Sequence, residues 1–281
     1  MSETTAVRSP APATSEFGRP TARAAFVGMM IRDARVLRRN IGEFLGRTLI
    51  QPFLFVFVFT YVFPKIGQGF TGSSGESFAT ILVPGLVAVA IVFTGIMAVG
   101  LPLSIEFGAT KEIEDRLMAP LPVWAVAIEK VVFAAGQSLL AGLCVFPLVY
   151  FIPATNVSVH VSNWALLVIV MALACILSGS LGLVLGCVVR PEKIGLMFAI
   201  VVVPLTFLGC VYYPWAQLAP VRWLQVVVLI NPLVYLCEGL RAALTPELPH
   251  MATWAFLGAA VLSCALLLVA GVRLFVRRVI T

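Results

Sequence analysis

The chain has 281 residues, of which 60% are hydrophobic and only 11% charged, and its mean hydropathy is +1.04. Soluble domains carry roughly 25% charged residues and lack near-continuous apolar stretches of about 20 residues. Several such stretches occur here, which excludes a soluble globule and predicts an all-α polytopic membrane protein. The net charge of +6 invites a nucleic-acid reading, but its distribution along the chain follows the membrane instead.

Residues 1–20 are rich in Pro, Ala, Ser and Thr and lack the apolar core of a secretory signal, so they read as a disordered, uncleaved tail. Over 21–47, apolar residues such as Phe26, Met29, Met30, Leu37, Ile41 and Phe44 recur at three- and four-residue steps. Arg23, Arg32, Arg35, Arg38, Arg39 and Arg47 lie between them, the pattern of an amphipathic helix in the membrane interface. The transmembrane domain then extends over 48–278. Its spans are expected at 49–63 (reaching toward 66), 78–105, 123–151, 164–189, 194–212 and 251–274, which makes six.

Between the second and third spans, 106–122 (EFGATKEIEDRLMAPLP) is the most charge-dense segment between the first and last apolar runs. Between the fifth and sixth, 213–250 has apolar runs too short to cross ~30 Å of hydrocarbon. Pro214, Pro220 and Pro232 divide it, and short re-entrant or interfacial helices are expected there. With six spans, 16 of the 19 Lys and Arg fall on the side of the two termini; Lys65, Arg222 and Arg241 are the others. This bias puts both termini in the cytoplasm. Nine of the ten Tyr and Trp sit toward the opposite side, Trp124 being the exception, so extra amphipathic structure is expected outside.

Residue chemistry points away from catalysis. His160 and His250 are far apart, and the six cysteines (Cys144, Cys175, Cys187, Cys210, Cys237 and Cys264) have no CxxC spacing and read as small buried hydrophobes. No lysine is followed by Ser or Thr, so the P-loop GxxxxGK[ST] is absent and ATP, if used, binds another chain. Glu129 and Lys130 lie about two turns into the third span, where charges are costly and often functional; the alternative is that they pair with 106–122 or reach back to the interface. Glu238 and Arg241 share a helical face three residues apart and are expected to pair, as a surface salt bridge of little energetic weight. A secondary transporter normally holds carboxylates near the membrane midplane. Only shallow Glu129 qualifies, so an ion-coupled transporter of small hydrophobic molecules is the alternative reading. In the fourth span, Ser178, Gly182 and Gly186 form a small-xxx-small series suited to close helix contact.

Four features together resemble the membrane subunit of ABC-2 type exporters, the permease group of drug, lipid and polysaccharide export. They are the amphipathic first helix, the string EIEDRLMAPLPVWAVAIEKV with Leu117, Pro120, Leu121 and Lys130, the short turn at 190–193, and the phrase INPLVYLCEGLRAAL with Asn231, Pro232, Leu233, Glu238 and Arg241. The resemblance covers about 21–278. It implies a dimer pairing with separate ATP-binding subunits, which carry ATP and Mg, and a cell-membrane (plasma or inner) location. It further implies a coupling helix that docks on the ATPase through Glu106, Phe107, Lys111, Glu112, Ile113, Glu114, Asp115, Arg116 and Leu117. An outer gate would comprise Tyr212, Tyr213, Trp215, Trp223, Asn231, Glu238 and Arg241. The cargo it implies is amphipathic, hydrophobic or lipid-linked, and this chain itself would hold no catalytic residue, cofactor or metal.

Overall fold

The computed structural model describes residues 22–62, 65–66, 78–110, 121–151 and 161–280, and every regular element among them is helical. The order is α1 (Ala22–Arg39), α2 (Ile41–Val56), α3 (Phe78–Ile105), α4 (Val123–Phe151), α5 (Trp164–Val188), α6 (Ile194–Met197), α7 (Val203–Phe207), α8 (Arg222–Val227), α9 (Pro232–Leu244) and α10 (Thr253–Ile280).

The centre is α3. It has no polar stripe to turn toward water, and from Ile81 to Val92 every side chain but that of Pro84 and Gly85 is a buried hydrophobe. A helix apolar all round must be enclosed or lie in lipid. Here α4 and α5 pack on it, α10 lies against α5, and α9 wedges between α3, α5 and α10. The outer helices turn apolar residues outward instead, among them Val168 on α5 and Leu262 and Leu266 on α10, as lipid contact demands.

The closest helix contact is that of α3 with α5, and small residues make it. A Cβ built on Gly182 would lie 2.9 Å from the Gly95 carbonyl oxygen and 3.0 Å from that of Ile96; one on Gly186 would lie 3.1 Å from the Gly100 carbonyl oxygen. The predicted small-xxx-small series therefore faces α3, and the glycines of α3, which share no strict spacing of their own, complete the seam. At the same seam the Ser138 and Ser178 hydroxyls are 3.2 Å apart, so that one donates to the other while the second donates to a carbonyl of its own helix, Ala134 for Ser138 or Cys175 for Ser178. All six cysteines are free thiols and five are buried, as small hydrophobes should be.

Four of the helices are long and apolar enough to cross a membrane, or up to five if the bent pair Arg222–Ile230 and Pro232–Leu244 counts as one broken span. The four are α3, α4, α5 and α10, and they match the second, third, fourth and sixth expected spans. The first and fifth take other forms. Helix α2 has 16 residues, contains Pro52 and passes into a wider π-helical turn, Phe57–Val62. The fifth is broken into α6, a π-helical turn Phe198–Val202, and α7. Pro204 supplies the reason, because its missing N–H and its ring disrupt the preceding turn. The predicted interfacial helix over 21–47 is likewise two elements: α1 stops at Arg39, Asn40 leaves helical geometry (φ −110, ψ 23), and Ile41–Arg47 open α2. Residues 1–20 and 67–77, the glycine- and serine-rich stretch GQGFTGSSGES after the first expected span, lie outside the described residues.

Candidate functional site

Charged side chains inside the bundle gather at its two opposite ends. At the first, α3 unwinds into a π-helical turn, Glu106–Thr110, one turn after Pro102. The turn carries Glu106 toward α4, where Lys130 meets both carboxylate oxygens at 2.9 and 2.8 Å, with both side chains 8% exposed. The pairing of Lys130 with the 106–122 segment is thus formed. Glu129, the neighbour of Lys130, is fully buried. Phe107 points the other way and packs edge-on against Phe275 of α10, ring centroids 5.8 Å apart. The Arg278 guanidinium lies over the Phe107 ring, 4.6 Å from its centroid, and donates to the carbonyls of Gly186 and Cys187. Those carbonyls end α5, where a cation is favoured by the helix dipole and by acceptors without helical partners. One short turn therefore grips α4 by an ion pair and α10 by an aromatic stack. Lys111, Glu112, Ile113, Glu114, Asp115, Arg116 and Leu117 lie outside the described residues.

The opposite end is built around Glu238 and Arg241 on α9. Both are 0% exposed and their charged atoms are 2.5 Å apart. The pair forms as the spacing predicts, but the expectation of a surface salt bridge is corrected: the residues lie on the face of α9 that is covered on all sides. Glu238 Oε1 also accepts from the Trp215 backbone N–H at 3.0 Å, and Oε2 from that of Met251 at 2.8 Å. Arg241 donates to the Cys210 carbonyl at 3.0 Å. Cys210 adopts φ 53, a left-handed conformation uncommon for a residue with a side chain. Two side chains thus fix three chain segments around 210, 215 and 251.

Asn231 caps the start of α9: its side-chain oxygen accepts from Leu233 N–H at 3.0 Å, and its amide nitrogen donates to the Leu205 carbonyl at 2.7 Å. Trp215 donates from its ring to the Gln225 carbonyl at 3.1 Å, and the Tyr213 hydroxyl donates to the Phe207 carbonyl at 3.1 Å. Burial raises the Tyr213 phenol above the ordinary tyrosine range, with Cys210 and Cys237 adding to the effect. Tyr212 sits between Phe55 and Phe207, ring centroids 5.9 and 5.8 Å away. Trp223 alone of the predicted gate residues stands clear of this cluster, 69% exposed. Sequence reasoning missed Arg278 and Phe275, because a basic final turn reads as an orientation signal rather than a contact. The apolar spacing of Phe275 on α10 was the only available clue.

A helical bundle sheathed in apolar side chains, with its internal charges confined to two ends, defines a multi-pass membrane protein. Residues 25–245 match the ABC-2 type transporter family, and the chain belongs to that family, as a membrane transporter subunit. The chain is similar to the inner membrane transport permease YadH of Escherichia coli K12, with 28% identity over 200 residues covering 69% of this chain and 74% of that protein. The YadH of Shigella flexneri stands at the same identity and coverage.

Proposed function

We propose that this chain is the permease subunit of an ATP-driven exporter. It works as a dimer with separate ATP-binding subunits, which carry ATP and Mg, and moves an amphipathic, hydrophobic or lipid-linked substrate out of the cytoplasm or inner leaflet. The observation that carries the reading is the double grip at 106–107. Glu106 is tied to Lys130 of α4, and Phe107 to Phe275 and Arg278 of α10. A push on the segment that follows is thereby delivered to two membrane helices at once. The charged residues Lys111, Glu112, Glu114, Asp115 and Arg116 register the ATPase, with Ile113 and Leu117 as its apolar contact. At the other end, Tyr212, Tyr213, Trp215, Trp223, Asn231, Glu238 and Arg241 form the outer gate. The 100° bend between Ile230 and Pro232 favours a re-entrant pair over a single crossing, and α2 with its π turn and the α6–α7 segment complete six spans. The chain resides in the inner (plasma) membrane with both termini in the cytoplasm, as the Lys and Arg bias supports.

The test is co-expression and co-purification with candidate ABC ATP-binding subunits of the same cell, comparing wild type with a variant in which Glu112, Glu114 and Asp115 are changed to Ala. Association and substrate-stimulated hydrolysis by wild type, lost in the variant, are expected. Absence of any ATPase partner would overturn the reading and favour ion coupling through buried Glu129.

A further inference from the structure

Helices α1 and α2 together carry six arginines against Asp33 and Glu43, a net charge of +4. On α1 the residues are sorted by face. Phe26, Met29, Met30 and Leu37 are half-buried against the bundle. Val27 and Ile31 are 52% and 51% exposed and form the sector that faces lipid. Arg32, Arg35 and Arg39, spaced i, i+3 and i+7, make a third stripe that is exposed along its length. Neighbours on this stripe stand about 5–6 Å apart at Cβ. Arg32 is held by Asp33 at 3.2 Å, whereas among the described residues no carboxylate pairs with Arg35 or Arg39.

The stripe borders a cleft of about 490 Å³. Arg32, Val36 and Asn40 of α1 form one wall, and the groove between α3 and α4 forms the other. On α3 the lining runs from Glu106 back to Met97, and on α4 from Lys130 to Gln137. Nine residues of α3 at ~1.5 Å each make the cleft about 13 Å deep. That is close to half of the ~30 Å hydrocarbon thickness, the depth of one leaflet. The inner walls, Phe44, Leu101 and Phe133, are apolar, and the two bases of the lining, Arg32 and Lys130, already have acid partners. A negative head is therefore drawn to Arg35 and Arg39 at the rim, where the arginines of α1 outnumber Glu43, and an apolar tail is drawn inside. An acidic protein surface would meet the arginines and leave the cleft empty. A zwitterionic lipid would fill the cleft and leave the arginines without a net countercharge.

We infer that the stripe and the cleft form a site for one acidic glycerophospholipid of the adjoining leaflet, its phosphate at Arg35 and Arg39 and one acyl chain between α1 and the α3–α4 groove. The lipid is a structural resident of the protomer rather than its cargo, so the inference goes beyond the export reading and stands without it. Because Glu106 and Lys130 line the same cleft, the chain packs beside their ion pair and holds α1 against the two helices that the pair joins.

The experiment uses the purified permease alone in neutral detergent, with bound lipid counted by native mass spectrometry. Phosphatidylglycerol and phosphatidylcholine with identical acyl chains are titrated separately. One phosphatidylglycerol per protomer is expected, held about thirtyfold more tightly than phosphatidylcholine, two arginines each acting with the strength of a basic group near an acidic surface. Changing Arg35→Gln and Arg39→Gln together, at exposed positions, should bring phosphatidylglycerol down to the phosphatidylcholine level and leave melting of the lipid-free protein unchanged. Val36→Trp, which narrows the cleft from its exposed wall, should weaken both lipids several-fold. Gln137→Leu should weaken neither, since an acyl chain makes no bond to that amide, and excess glycerol 1-phosphate should not displace the lipid. Equal affinity for the two lipids, binding unchanged in Val36→Trp, loss of binding in Gln137→Leu, or displacement by glycerol 1-phosphate overturns the inference. So does a double arginine variant that keeps the lipid preference and instead loses an ATP-binding subunit, which would make the stripe a protein-docking surface.

Discussion

The two ends of the bundle each bury one acid–base pair, and the pairs are built on opposite plans. Glu238 and Arg241 are three residues apart on one helix, and their remaining groups reach three other points of the chain. Glu106 and Lys130 are 24 residues apart on two helices, and their bond is the link between those helices at that depth. The first pair is a closed node whose partners cannot part without unmaking the fold around it. The second is a strut between an unwinding helix end and a span, and it can move as a unit with the segment it anchors. Burial alone does not separate the two cases. What separates them is how many independent backbone groups the charges satisfy.

Mutations divide along that line. The largest loss is expected from Arg241→Leu, which leaves Glu238 charged in a sealed site and frees the Cys210 carbonyl; removing one partner of a buried pair costs about 3–5 kcal/mol. Thermal unfolding in detergent should show the protein failing to reach its native state, and near wild-type melting would show that the node is dispensable. Gly182→Val ranks next. Its new side chain would press on the Gly95 and Ile96 backbone, which cannot yield as a side-chain tip can, at about 3 kcal/mol, the upper part of the overpacking range. A lowered melting temperature with intact helical circular dichroism checks it.

Lys130→Met should cost less, about 2 kcal/mol, because Glu106 is 8% exposed beside a cleft and can take up water in place of the lost partner, whereas Glu238 is sealed. In the coupled complex it should reduce substrate-stimulated hydrolysis far more than its effect on melting, whereas Lys130→Arg restores both. If melting and hydrolysis fall together, the strut is only another structural pair. The smallest change is expected from Ser138→Ala, about 0.6 kcal/mol, typical of a hydrogen bond between helices in a bilayer. A double-mutant cycle with Ser178→Ala measures that bond directly.

The long spans were legible because uninterrupted apolar runs leave a chain in lipid few options. Helix α4 begins at Val123 and ends at Phe151, where the hydropathy rises and falls. Segments with a proline inside a short apolar run were less legible, since Pro52 and Pro204 alter the turn without shifting the hydropathy. Their helices were expected, and the π turns beside them were not. At the candidate site, the pairing of Glu238 with Arg241 followed from helical spacing, while its complete burial depended on three segments distant in sequence closing over α9.

Composition and pattern by themselves determined that this chain is a helical membrane protein, where its main spans run, and that charge is concentrated after α3. These are one-dimensional consequences of the bilayer: backbone groups must be satisfied within each segment, and apolar length must match hydrocarbon thickness. Only the tertiary structure decided which glycines meet across α3 and α5, that Arg278 closes the end of α5 over Phe107, and that a cleft opens under the α1–α2 corner. Each depends on which faces of the helices meet. Inside lipid that choice rests on close packing and a few hydrogen bonds rather than on apolarity, which every face of these helices shares.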